Sequence, residues 1–295
     1  MSATAPAVRS QQALDVVPSG GPLAADIVGI DLSQPLSDAT FQAIHDAWMQ
    51  HLVLRFRGQT LTKEHLLDFS RRFGALDKAP INTRGKPWID GYPDITVMSN
   101  IKVDGEPIGG LGYGEAVWHT DMSYQEITPT GALLYGVEVT RAGGETGFIS
   151  MYQAYDTLPA DLRAAIEGKR IKHDASYNSA GDLRKGFKPV TDPSEAPGAI
   201  HPAVIRHPVT GRRALFLGRR PNGYIMGMPL AGSEALLDRL WAHATQPQFA
   251  WYQTWKVGDL MMWDNRCTLH RRNAFDPSER RYMLRTQIRG AAPGA

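Results

Sequence analysis

The sequence predicts a mainly β protein, a sandwich or barrel with helices appended to it. Two observations carry that reading. Short runs of strand-forming residues separated by Gly and Pro turns dominate the chain from Trp118 onward. Apolar residues at helical spacing appear in only four places. The chain has 295 residues, 42% hydrophobic and 21% charged, which suits a globular protein able to bury a large core.

The elements follow in order. Met1–Gln12 is rich in Ala, Ser and Pro and lacks the apolar centre of a signal peptide. Residues 1–18 are therefore expected to be a flexible tail, and 19–292 a single domain. Asp26–Leu32 reads as a strand. Ser37 and Asp38 can cap a helix whose apolar positions Phe41, Ile44, Ala47 and Trp48 share one face. Leu52–Phe56 reads as a strand, and Thr62 caps a helix through Phe73 that Gly74 closes. Residues 75–117, dense in Gly and Pro, read as an active-site loop with one strand at Asp94–Met98. Beyond it, strands are expected at 131–139, 146–150, 203–207, 213–217, 248–256, 259–264 and 281–289. Helices are expected near 150–168 and at 233–246, the second capped by Ser233. The polar, Pro-containing stretch near 176–201 reads as a lid-like insertion.

Composition excludes several classes. A formal net charge of +2 offers no nucleic-acid footprint. No apolar run approaches the roughly 20 residues of a membrane span. The single cysteine, Cys267, allows neither an intrachain disulfide nor a thiolate zinc site, and a cytoplasmic location is expected.

The chemistry starts at Trp118-His119-Thr120-Asp121. On a strand, positions i and i+2 point to one face, so His119 and Asp121 would present an imidazole and a carboxylate together. A second imidazole would complete the 2-His-1-carboxylate set of non-haem Fe(II) oxygenases. The triplet alone is weak, because with nine histidines and 30 acidic residues roughly one such triplet arises by chance. His270 follows an apolar run and the turn Asp264-Asn265, where it reads as a capped loop residue or as the missing ligand. His45, His51, His65, His207 and His243 read as structural, and His173 and His201 are open.

The last strand adds independent weight. Arg281, Met283, Arg285 and Gln287 share one face, and Tyr282, Leu284, Thr286 and Ile288 the other. The arginine face is either solvent-facing or lines an interior. In an interior, two guanidinium groups need anionic partners, such as a cosubstrate and a substrate that each carry an acid group. Gly143–Gly147 reads as a turn in which Thr146 adds a hydroxyl able to donate to a carboxylate. Met122, beside the triplet, reads as a substrate-pocket wall or as core.

Together these residues resemble the Fe(II)/2-oxoglutarate-dependent dioxygenases of the taurine dioxygenase and 2,4-dichlorophenoxyacetate dioxygenase group. The resemblance runs from about residue 22 to 290. It rests on Val53-Leu-Arg-Phe56 with Gln59, Arg72-Phe-Gly74, Trp118–Asp121, Gly143–Thr146, His207–Arg212, Trp263–Arg266, His270 and Arg281. It implies a double-stranded β-helix, or jelly roll, with Fe(II), 2-oxoglutarate and O2 as cofactors and cosubstrates. His119, Asp121 and His270 match the iron ligands. Arg281 and Thr146 match the pair that holds the far carboxylate of 2-oxoglutarate, and Arg285 the arginine that binds the acid group of the prime substrate. The implied reaction releases succinate and CO2 and hydroxylates a substrate C–H. The retained Asp121 points to hydroxylation rather than halogenation.

The resemblance also bears on the substrate. Taurine dioxygenases have a substrate-contacting histidine in the region of Asp77 and an asparagine where this chain has Glu115, which argues against taurine. Leu217–Gly227, Ser233–Leu237 and Trp263–Cys267 are similar to the herbicide-degrading aryloxyalkanoate dioxygenases. A small anionic organic substrate is expected, of aryloxyalkanoate type, with sulfonates or alkyl sulfates as the alternative. Other classes are a non-catalytic cupin-like metal-binding protein and a zinc hydrolase. A homo-oligomer is expected, as family members are often dimers or tetramers.

Overall fold

The computed structural model describes residues 14–82, 84–112, 114 and 116–294. Strands β1 (Asp15–Pro18) and β2 (Ala25–Val28) lead to helix α1 (Asp38–His51), and β3 (Val53–Phe56) leads to α2 (Lys63–Arg71). The Gly/Pro-rich stretch holds β4 (Thr96–Ser99), β5 (Lys102–Val103), β6 (Glu106–Pro107) and β7 (Gly110–Leu111). Next come β8 (Ala116–His119), β9 (Gly131–Glu138), β10 (Thr146–Ser150), α3 (Met151–Asp156) and α4 (Ala160–Ile166). Short strands β11 (Arg170–Lys172), β12 (Ile200–Pro202), β13 (Val204–Arg206), β14 (Arg213–Leu215) and β15 (Tyr224–Ile225) precede α5 (Leu230–Ala244). The chain closes with β16 (Ala250–Gln253), β17 (Leu260–Asp264), β18 (Thr268–Arg272) and β19 (Tyr282–Ile288).

Two sheets position the site. The larger has eight strands in the order β1-β2-β3-β17-β9-β19-β4-β7, and the smaller has four in the order β16-β10-β18-β8. The central strands of the larger sheet are buried on both faces, and the period of two sorts their side chains. Leu134, Met261, Trp263 and Met283 pack in one core with Phe148 and Leu269 of the smaller sheet. Phe148 and Trp263 meet with ring centroids 5.6 Å apart. Leu133, Leu260, Met262 and Leu284 face the other way, onto Ile44 and Trp48 of α1 and Leu66 and Phe69 of α2. Both helices begin as expected: the Ser37 hydroxyl accepts from the Thr40 amide at 3.0 Å, and Thr62 and His65 form a capping box.

Several elements differ from the sequence expectation. Within the expected tail, residues 15–18 form β1, paired antiparallel with β2; residues 1–13 lie outside the described residues. The helix expected near 150–168 is two helices, broken before Pro159, which lacks the amide needed to continue a helix and disfavours α geometry in its predecessor. Helix α5 starts at Leu230, and Ser233 is no cap: its buried hydroxyl accepts from the Ile225 amide at 2.9 Å, tying β15 to the helix. Strand β18 was not anticipated as a strand. No helix of the described residues is long and apolar enough to cross a membrane.

Candidate active site

His119 and His270 face each other because β8 and β18 pair with these two residues in register. Their ring centroids are 4.1 Å apart. Strand β8 ends at His119, so the strand pleat does not place Asp121. The turn after β17 does: the Asn265 side chain accepts from the Asp121 amide at 2.8 Å and donates to the Asp121 carbonyl at 3.0 Å. It also donates to the Pro129 carbonyl at 3.1 Å. The Thr120 amide donates to the Gly218 carbonyl at 2.9 Å. Gly218 sits at φ +67°, and a Cβ there would lie 1.8 Å from Nδ1 of His173, so the close approach requires glycine.

The result is a compact donor set. Nε2 of His119 and Nε2 of His270 each lie 3.6 Å from Oδ1 of Asp121. His119 donates from Nδ1 to the Val117 carbonyl at 2.7 Å, which leaves its Nε2 lone pair for a metal. Burial holds His270 well below the ordinary histidine range, against the pull of Asp121, so it stays a neutral ligand. Burial raises Asp121, but Arg285, His270 and His119 outweigh it and hold the carboxyl below the usual range. Two imidazoles and one carboxylate, with no thiolate, suit a non-haem divalent iron ion.

Both arginines reach the interior, but only Arg285 lies on β19: Arg281 precedes the strand, whose ladder shifts register between Tyr282 and Met283. Arg285 donates from Nη2 to Oδ2 of Asp121 and lies 5.7 Å from the Trp263 ring centroid. Arg281 is 3% exposed and makes no ion pair with another described residue. Burial and neighbouring Arg272 push it down to about 9, the mark of a cation short of an anion. Arg281 lines a small cavity of about 50 Å³ together with Thr146 and His270. The Thr146 hydroxyl accepts from Nε1 of Trp255 at 3.0 Å, which leaves its own proton to donate.

A larger cavity of about 370 Å³ adjoins the small one, sharing His119 and Arg285 and lined also by Asp121. Met122 lines it in the left-handed region, at φ +49°. Trp88 from the 75–117 loop, and Tyr177 and Arg184 from the start of the 176–201 insertion, also face it. Arg285 lines both cavities.

Asn265 has no role of its own in the sequence, where it stands in the Asp264-Asn265 turn and in the Trp263–Arg266 motif of the resemblance. His173, left open, is buried on the cavity wall, and burial pushes it down to about 3; His201 packs beside it with centroids 5.2 Å apart. Glu115, which bore on the substrate, lies outside the described residues. His207, Asp264 and Cys267 form a second cluster of metal-ligand type. Its atoms are already engaged: His207 contacts Oδ2 of Asp264 at 3.0 Å and accepts from the Thr210 amide, while Arg266 donates to Oδ1 of Asp264 at 2.9 Å. Burial pushes the Cys267 thiol up, away from thiolate. This cluster braces the turn that carries Asn265.

A carboxylate between two histidines, with buried guanidinium groups on either side, defines a mononuclear metal enzyme that handles organic acids. Comparison with known proteins makes it particular. Residues 15–287 match the family described as Taurine catabolism dioxygenase TauD, TfdA family. The chain is 36% identical over 277 residues to an alpha-ketoglutarate-dependent 2,4-dichlorophenoxyacetate dioxygenase of Cupriavidus pinatubonensis, covering 89% of this chain and 93% of that one. It is 33% identical over 298 residues to an (S)-phenoxypropionate/alpha-ketoglutarate-dioxygenase of Delftia acidovorans, covering 95% and 96%. The solved structure of AAD-2 in complex with Mn(II) and N-oxalylglycine superposes with a TM-score of 0.79 at 29% identity, covering 96% of this chain and 99% of that one. The chain belongs to the TauD, TfdA family. It is a 2-oxoglutarate-dependent non-haem iron dioxygenase that uses Fe(II), 2-oxoglutarate and O2.

Proposed function

We propose that this dioxygenase hydroxylates small aryloxyalkanoate-type carboxylic acids at the carbon next to the ether oxygen. The hemiacetal so formed collapses to a phenol and a keto or aldehydo acid. The observation that carries the reading is Arg285, a largely buried guanidinium on the wall that the large cavity shares with Asp121. An anionic group held there brings its neighbouring carbon to the metal ligands, while Trp88, Tyr177 and Met122 offer a largely apolar space to a ring.

In this reading His119, Asp121 and His270 hold Fe(II), and bound iron supplies the oxidative decarboxylation of 2-oxoglutarate and the C–H oxidation. Arg281 and Thr146 hold the far carboxylate of 2-oxoglutarate, Arg285 holds the substrate acid, and Met122 forms part of the ring wall. The 176–201 segment acts as a lid over the cavity, since its first residues already line it. The packed sheets form a double-stranded β-helix in a single domain. A cytoplasmic enzyme fits the one buried cysteine, and a homo-oligomer is proposed from the resemblance alone.

The test is a panel of phenoxyacetates, 2-phenoxypropanoates, alkylsulfonates and alkyl sulfates, assayed with Fe(II), ascorbate and 2-oxoglutarate. Phenoxy acids should give succinate and phenol in equal amounts. Turnover confined to the sulfonates or sulfates would overturn the substrate class.

A further inference from the structure

Arg285 and Gln287 share one face of β19, and Arg281 immediately precedes the strand. Arg281 lines the small cavity, Arg285 both cavities, and Gln287 only the large one. Gln287 is 8% exposed, and its Nε2 is buried without a hydrogen-bond partner among the described residues. Its main chain lies in register with Ala132 of β9, and its carbonyl accepts from the Asp77 amide at 2.9 Å. The main chain is thus fixed while the carboxamide remains unsatisfied. A buried amide in this condition costs folding free energy and is rare unless a ligand supplies its partner. Two residues away, Nε of Arg285 is buried and likewise has no partner among the described residues, while its Nη2 is engaged by Asp121. Two unused N–H donors therefore belong to neighbouring side chains on one strand face, at the wall of the same cavity.

We propose that Gln287 is a second substrate-binding residue: with the acid group on Arg285, its carboxamide donates to the ether oxygen of the aryloxyalkanoate. A neutral amide suits a neutral acceptor, and the ether oxygen is the next acceptor along the substrate from the carboxyl group. With both groups held, the carbon between them can turn only one of its remaining substituents toward His119, Asp121 and His270. Gln287 thereby sets which enantiomer of a 2-aryloxypropanoate is hydroxylated. This inference rests on the substrate class proposed above and deepens it.

The test uses Gln287→Met, which keeps the side-chain length and removes both amide atoms, and Gln287→Glu, which keeps an acceptor and removes the donor. Dissociation constants are measured by calorimetry on the enzyme loaded with Fe(II) and 2-oxoglutarate in the absence of O2. The ligands are phenoxyacetate, its CH2 isostere 3-phenylpropanoate, and the two enantiomers of 2-phenoxypropanoate. Wild type should favour phenoxyacetate over the isostere by about tenfold, the size of one good buried hydrogen bond. In Gln287→Met that ratio should fall to about one and the enantiomer preference should collapse, with the KM for 2-oxoglutarate unchanged. Gln287→Glu carries the same comparison if the methionine variant does not fold. Retention of the wild-type ratio in the variants overturns the role of Gln287 and leaves the substrate class standing. If wild type binds none of these acids, the substrate class and this inference fall together.

Discussion

The two sides of the active site are built differently. The metal side stands on paired strands: β8 and β18 bring His119 to His270, and the braced turn after β17 fixes Asp121. The substrate side is walled largely by connecting segments, with Trp88 from one and Tyr177 and Arg184 from another. A ladder specifies position rigidly, because a slip of one residue turns every side chain to the opposite face. Connecting segments tolerate change. The metal-binding side chains are therefore set by the sheets, and much of the cavity wall by what lies between them.

Substitutions can break or sharpen this division. The largest effect is expected from His270→Ala, which removes a ligand from the ladder: succinate formation should fall to background while circular dichroism reports an intact fold. Asn265→Ala touches no ligand side chain, yet it should weaken metal affinity on the order of 10–100-fold, measured by Fe(II) or Mn(II) titration. Unchanged affinity would show that the strands alone place Asp121. Arg281→Ala should raise the KM for 2-oxoglutarate by about 10–100-fold, the value of a buried charge-assisted hydrogen bond.

His173 gives a pH-dependent test on the substrate side. Its pKa in the folded protein is about 3, against an ordinary 6.5 when unfolded. Below 6.5 the unfolded chain binds a proton that the folded one refuses. The stability is therefore full above that pH and declines as pH falls toward about 3, by at most about 1.4 kcal/mol per pH unit. Urea unfolding between pH 7 and 5 should show this slope, and His173→Leu should reduce it. The smallest effect is expected from Tyr177→Ala, which should raise the substrate KM about three- to tenfold, the range of an aromatic contact, and leave the 2-oxoglutarate KM alone. Loss of metal binding in that variant would erase the distinction between the two sides.

Much of the metal side was legible in the sequence, and for a physical reason. The period of two along β19 puts Arg285 and Gln287 on one face, and the structure turns that face inward; Arg281 precedes the strand, beyond a register shift at Tyr282–Met283, and still reaches the small cavity. The structure also brings His119 and Asp121 together, but not by the strand pleat alone, since β8 stops at His119 and Asn265 completes the placement. Strand β18 was missed because Thr268–Arg272 carries two arginines and a histidine, which read as loop until they are seen between β10 and β8. The substrate wall was the least legible. Trp88 and Tyr177 sit in stretches without periodicity, and only long-range packing brings them together.

The solitary state of Arg281 reaches beyond catalysis. A ligand that binds only the folded form raises its stability by mass action. An anion on Arg281 would relieve a charge buried without a counterion among the described residues, so 2-oxoglutarate should act as a stabiliser as well as a cosubstrate. The empty enzyme would open more often and be exposed to proteases for longer. Its lifetime in a cell would then follow the supply of the acid that it consumes.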